Sequence, residues 1–213
     1  MAPSSIIPPA SSFFVNRLNL RVLLLFVALA AIFFAPVLFA DRVLIPFDNL
    51  FQFPPWSAFA DQFGITTPHN ALVSDLVLEN YAWKRFIVES LSARELPLWN
   101  PYLFAGVPFL AAGQHSAMYP FSALFYILPI AKAYAYFEAI QFVIALLALF
   151  WFTRVIGLSR NCAIISALVY AFCGFLVVST AFPMVISAAA WLPAILACVE
   201  KFFAMTSAGS CSQ

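Results

Sequence analysis

"YAYFEAIQFVIALLALFWFT", residues 134–153, carries one charged side chain, Glu138, in twenty positions. Twenty residues at the helical rise of about 1.5 Å reach about 30 Å, the thickness of a bilayer's hydrocarbon core. A chain in lipid must satisfy its own backbone groups, which leaves a helix or a closed barrel, and this run lacks a barrel strand's strict alternation. It therefore reads as a spanning helix. Glu138 lies one or two turns inside one end, and its carboxyl is expected to snorkel back to the interface rather than face a polar interior.

Three further runs have the same character. They are "VLLLFVALAAIFFAPVLFA" at 22–40, "CAIISALVYAFCGFLVVSTA" at 162–181 and "PMVISAAAWLPAILACVEKFF" at 183–203. Arg17 and Arg21 give the first run the basic flank of a signal peptide. Its nineteen apolar residues exceed an h-region of about 7–15, and L-F-A precedes Asp41 where A-x-A is expected, so an uncleaved anchor is the reading. Composition agrees, because 64% hydrophobic residues, a mean hydropathy of +0.97 and 25 phenylalanines are more than one soluble core of this length buries. The net charge of +1, with no Lys/Arg-rich block, excludes a nucleic-acid field and leaves membrane lipids as the expected partners. Cys162, Cys173, Cys198 and Cys211 fit neither a disulfide framework nor a zinc spacing and read as small packing residues.

The basic residues orient the chain. Arg17, Arg21, Arg154, Arg160 and Lys201 fall on one side if the N-terminus is cytoplasmic. The expected fold is all-α and polytopic, with about four transmembrane helices and a large structured external loop carrying interfacial helices. Its parts are a cytoplasmic tail at 1–21, the first transmembrane helix at 22–40, an external loop at 41–133, three further transmembrane helices within 134–203 and a cytoplasmic tail at 204–213. The external loop holds seven of the nine acids and both histidines, so any chemistry is expected there.

Within that loop "DNLFQFPPWSAF" (48–59) and "DLVLENYAWKRF" (75–86) share one spacing, which matches Asp48 to Asp75 and Trp56 to Trp83. A duplication and a common pressure for tryptophan at headgroup level explain this equally well. Leu76, Trp83, Ile87 and Leu91 recur at helical spacing, which predicts an amphipathic helix over 75–95. "YPFSALFYILP" at 119–129 is too short to span and reads as a re-entrant or interfacial piece.

The succession "HNALVSD" (69–75), "YAWKRF" (81–86), "LPLWNPYLFAGVPFLA" (96–111), "QHSAMYP" (114–120) and "AAAWLP" (188–193) resembles the bacterial YfhO-like multi-span proteins, which are similar to the GT-C superfamily of membrane glycosyltransferases. The resemblance covers roughly residues 40 to 200. It implies an enzyme of the bacterial inner membrane that moves a sugar from a polyprenyl-phosphate donor to a lipid, protein or polymer acceptor on the external face. By position the family's catalytic acid falls on Asp75, with Asp48 second. Two departures stand against it. The family's Q-(F/Y)-Y-P-W-R appears here as E-N-Y-A-W-K at 79–84, and members generally have more spans than four.

The chemistry asked of these residues is intelligible without the family. An acceptor hydroxyl attacking an anomeric carbon needs a carboxylate base, and a phosphate leaving group needs cations or hydrogen-bond donors. Lys84 and Arg85 are candidates for the phosphate, against ordinary headgroup contacts, and Asp75 against a helix N-cap. Trp83, Asn100, Gln114 and His115 complete the candidate substrate-binding set, with Asn100 also suited to an N-P turn and His69 and His115 to turn hydrogen bonds. Asp75 and Glu79, at i and i+4, could share a divalent cation, but no cofactor or metal is expected. The alternative is a non-catalytic integral membrane protein: a lipid-binding or transport component, or an inactive truncated product. No oligomeric state is specified.

Overall fold

The computed structural model describes residues 17–66 and 70–210, so the tail 1–16, His69 and Cys211 lie outside the described residues. In chain order the helices are α1 (Arg17–Phe33), α2 (Ala35–Leu38), α3 (Tyr81–Ser92), α4 (Phe109–Ala112), α5 (Leu124–Ile127), α6 (Ile130–Val155), α7 (Arg160–Ala171), α8 (Gly174–Val178) and α9 (Pro183–Ser210). The only strands among the described residues are β1 (Trp99–Asn100) and β2 (Val107–Pro108), an antiparallel pair. Short 3-10 turns fill much of the rest, and Leu76–Asn80 is a π-helical turn running directly into α3. The protein is mostly helical.

Two helices are long and apolar enough to cross a membrane: α6, and α9 over Pro183–Thr206. The segments Arg160–Ala171 and Gly174–Ala181 make a third if a pair bent by 42° is one span. The bend has a local cause, because Cys173 is extended at φ −68°, ψ 156° between the two helices. The apolar run at 22–40 is also interrupted, leaving an apolar helix at Leu20–Phe33 and the single turn α2. Pro36 accounts for this, since it has no N–H to give the Ile32 carbonyl and its ring crowds that carbonyl.

The described chain forms two compact units, one of Met1–Phe34 with Glu138–Gln213 and one of Ala35–Phe137. In the first, α1 buries Val22, Phe26 and Ala30, one stripe at a four-residue interval that Phe34, just past its end, continues. α7 buries Ala163, Ala167 and Ala171 at the same interval, small residues that let helix backbones approach closely. Phe33, Phe34, Phe142 and Phe172 form a ring cluster with centroids 5.0 to 5.6 Å apart. Such pairs add about 0.5–1.5 kcal/mol beyond burial.

α9 contains Pro193, which leaves the Ala189 carbonyl without its helical donor. The Tyr170 hydroxyl of α7 donates to that carbonyl at 2.7 Å. This is how a proline-bearing helix stays continuous in an apolar setting. Leu24, Ile32, Ile165, Val169, Leu192 and Ile195 lie exposed on α1, α7 and α9.

The second unit is built around Ile45, Leu76, Val77, Phe125, Ala133, Tyr134 and Phe137. The two similar segments meet on this core: Phe47 packs edge-on against Tyr81 at 5.5 Å, and the turn Phe47–Gln52 lies against Leu76–Asn80. Their backbones nevertheless differ. Pro54 and Pro55 donate no hydrogen bonds and drive Phe53 to φ −120°, ψ 141°, so the first copy is two 3-10 turns where the second is one long helix. The 119–129 piece contributes Phe125 to the core's centre, 1% exposed, while Ile127 remains exposed. It is a core turn of this unit.

Candidate functional site

Asp75 immediately precedes the π turn, at φ −57°, ψ −29°, and its side chain makes no capping bond. It is exposed, and among the described residues its carboxylate has no hydrogen bond or ion pair. Glu79 is exposed on the same turn. Asp48, by contrast, is half-buried in the first turn of Phe47–Gln52 and is engaged in an interaction. The adjacent Asn49 is fully buried and its amide donates to the Asn70 carbonyl at 2.8 Å. Two acids at matched positions thus sit on adjoining turns in different states.

The π turn also decides which residues face inward. A regular helix from Leu76 would turn residue 83 to the core, but the extra residue of a π turn delays the face by one position. The buried set is Leu76, Val77, Asn80, Lys84 and Ile87, while Trp83 is half-buried and Leu91 exposed. Asn80 is held by the Tyr134 hydroxyl, which donates to its Oδ1 at 2.6 Å.

Lys84 is 1% exposed. Its ammonium donates to the His115 carbonyl at 2.6 Å and to Ser122 Oγ at 3.4 Å, and lies 4.6 Å from the centre of the Phe125 ring. No carboxylate pairs with it among the described residues. Burial pulls its pKa down from 10.5 to about 8. Ser122 Oγ in turn donates to the Ser116 carbonyl at 2.7 Å. Lys84 therefore fastens α3 to the 109–122 segment rather than presenting its charge at the surface.

His115 belongs to the same cluster. Its ring stacks on Phe109 at 4.1 Å, and the Ala117 N–H donates to its Nδ1 at 3.0 Å. The ring proton is therefore on Nε2, which donates to the Phe109 carbonyl at 2.8 Å. Burial lowers the His115 pKa, and the Lys84 charge pushes the same way against the opposing effect of the Phe109 bond. Neutral His115 is a structural hydrogen-bonding residue here.

The remaining candidates scatter. Arg85 is exposed and donates to Glu89 at 2.8 Å, which raises its pKa, an i,i+4 pair on the outer face of α3. Asn100 is 4% exposed and its Oδ1 accepts the Tyr102 N–H at 2.9 Å, closing the N-P turn. Gln114 is exposed. No group of three or more His, Cys, Asp or Glu able to hold a metal ion occurs among the described residues. Glu138 does not snorkel: it is fully buried, and neither carboxylate oxygen has a hydrogen-bond partner among the described residues.

The stretch 96–111 contains a hairpin over 99–108. β1 pairs with β2 through Trp99 opposite Pro108 and Asn100 opposite Val107, and the turn between them runs through φ +49°, +62° and +117° at Phe104, Ala105 and Gly106. A Cβ on Gly106 would stand 2.4 Å from Trp99 Nε1. Gly106→Ala should therefore cost about 2 kcal/mol or more, from backbone strain and a displaced indole, measured by denaturant unfolding in detergent with tryptophan fluorescence. An unchanged midpoint would show that the hairpin is not held as described.

Sequence reasoning named Lys84 and His115 separately and missed that they cluster with Ser122, because Lys84 turns inward only by way of the π turn. Comparison of the chain with protein-family models, with curated proteins and with solved structures returned no match to any of them.

Proposed function

We propose that the chain is a GT-C-like membrane glycosyltransferase, or the N-terminal portion of one, which transfers a sugar from a polyprenyl-phosphate donor to a lipid, protein or polymer acceptor. On this reading there are four spans, counting the broken runs at 22–40 and 162–181, and the loop 41–133 lies on the external face of a bacterial inner membrane, with the N-terminus cytoplasmic. Asp75 is the general base. The observation that carries this is its exposed carboxylate, without a hydrogen bond or ion pair among the described residues, beside a π turn whose Asn80 is held by Tyr134. Helix interruptions of this kind recur at functional sites, and a carboxylate without structural bonds is available to take a proton. With Lys84 turned inward, the exposed groups left to meet the phosphate are Arg85 and Gln114.

The second reading, a non-catalytic membrane protein, is favoured by the engagement of Lys84 and Arg85 with the protein's own groups. Transfer of label from a panel of radiolabelled polyprenyl-phosphate hexoses, in membranes with and without the chain, separates the two. Chain-dependent transfer supports the enzyme, and transfer no higher than in chain-free membranes overturns it.

The placement has its own test. In a background lacking the native cysteines, Ser57→Cys and Gln114→Cys should react with a membrane-impermeant maleimide in intact cells, and Ser159→Cys only after permeabilisation. Ser57, Gln114 and Ser159 are all exposed, so reactivity reports the side of the membrane. The reverse pattern would put Asp75 in the cytoplasm.

A further inference from the structure

We propose that the hairpin tip Tyr102-Leu103-Phe104 is a membrane anchor, inserted at the boundary between lipid headgroups and acyl chains. This rests on the membrane-spanning part of the proposed function and not on its chemistry. Phe104 is 94% exposed and Tyr102 79% exposed. Phe104 also holds a positive φ of 49°, a conformation that bulky residues rarely adopt. The strained backbone holds the rings outward, and in water those bare rings are unfavourable.

The hairpin is built to hold that presentation. The Asn100 side chain accepts the Tyr102 N–H, Gly106 N–H donates to the Leu103 carbonyl at 2.7 Å, and the Trp99 indole covers Gly106 where a Cβ would be. Trp99 and Leu98 are themselves more than half exposed beside the tip.

Lipid is the occupant that fits. Residues 96–114 contain no charged side chain, so the tip offers nothing complementary to a charged partner. The exposed patch is a handful of residues, where a stable protein interface engages about 20–30 a side. Tryptophan and tyrosine beside aliphatic and phenyl groups are the side chains favoured at the membrane interface. The unit carrying the hairpin continues into α6, which is long and apolar enough to cross a membrane, so a bilayer is always within tether range.

The test uses the full chain with its native cysteines replaced, reconstituted in phosphatidylcholine vesicles. A nitrobenzoxadiazole label is placed at Phe104→Cys, with Glu95→Cys as an exposed reference and Ile195→Cys, on α9, as a span reference. Label at 104 should be quenched by a nitroxide at a shallow acyl position, and by aqueous iodide about threefold less than label at 95. Iodide quenching equal to that at 95 would overturn the proposal. So would shielding without nitroxide quenching that fades as the lipid-to-protein ratio rises, the signature of a second copy covering the tip. Loss of nitroxide quenching at 195 as well would instead sink the membrane reading, whereas quenching at 195 alone sinks only the anchor.

Discussion

Asp75→Asn should lower sugar transfer by about 10²–10⁴-fold while leaving the amount of inserted, folded protein unchanged. The substitution keeps the side chain's size and removes the proton acceptor. Because the Asp75 carboxylate makes no capping bond and is exposed, its loss should alter stability by no more than about 0.5 kcal/mol. Asp48→Asn makes the opposite comparison. Asp48 is half-buried and engaged, so its replacement should cost stability more than transfer. The pair of variants thus separates a base from a structural acid, with transfer read from a polyprenyl-phosphate donor and stability from denaturant unfolding in detergent. Near-normal transfer by the Asp75 variant beside a dead but folded Asp48 variant would move the base to Asp48. Undiminished transfer by both would end the acid mechanism for this chain.

The long runs at 134–153 and 183–203 were legible from their length and apolar character alone. Composition does not record the backbone donors and acceptors that break the other two. Pro36 interrupts the run at 22–40, whereas Pro193 leaves α9 continuous because Tyr170, from a different helix, replaces the missing donor. The same residue type gives two outcomes through a tertiary contact that no local window contains. In the candidate site the exposed position of Asp75 accords with an acid outside the apolar stripe. The burial of Lys84 was not legible, because it depends on one π turn that delays the helix face by a single residue and on a ring, a hydroxyl and a carbonyl about thirty to forty positions away.

That buried lysine makes a pH-dependent contribution whose sign is fixed by its environment. Folded Lys84 releases its proton near pH 8, whereas in the unfolded chain it keeps the proton to about 10.5. Below pH 8 both states are protonated and Lys84 adds no slope. Between the two values the unfolded state binds the extra proton, so stability should rise with pH by up to about 1.4 kcal/mol per unit and about 3 kcal/mol in all. Tyr126, whose pKa burial raises from 10, works against this only above its ordinary value, which leaves pH 8 to 9.5 as the clean window. Lys84→Met should abolish the rise. At pH 7 it removes a desolvated charge but leaves the His115 carbonyl and Ser122 without their donor, losses of about 1–3 kcal/mol each, so its stability should stay within a few kcal/mol of the parent. Lys84→Ala adds a cavity beside Phe125 and should be less stable than Lys84→Met by about 2–4 kcal/mol at every pH. Denaturant unfolding in detergent, read by tryptophan fluorescence with Trp83 next in the chain, measures all three. A parent with flat stability from pH 8 to 9.5, or a Lys84→Met variant that keeps the rise, would mean that the ammonium is not enclosed as the geometry places it.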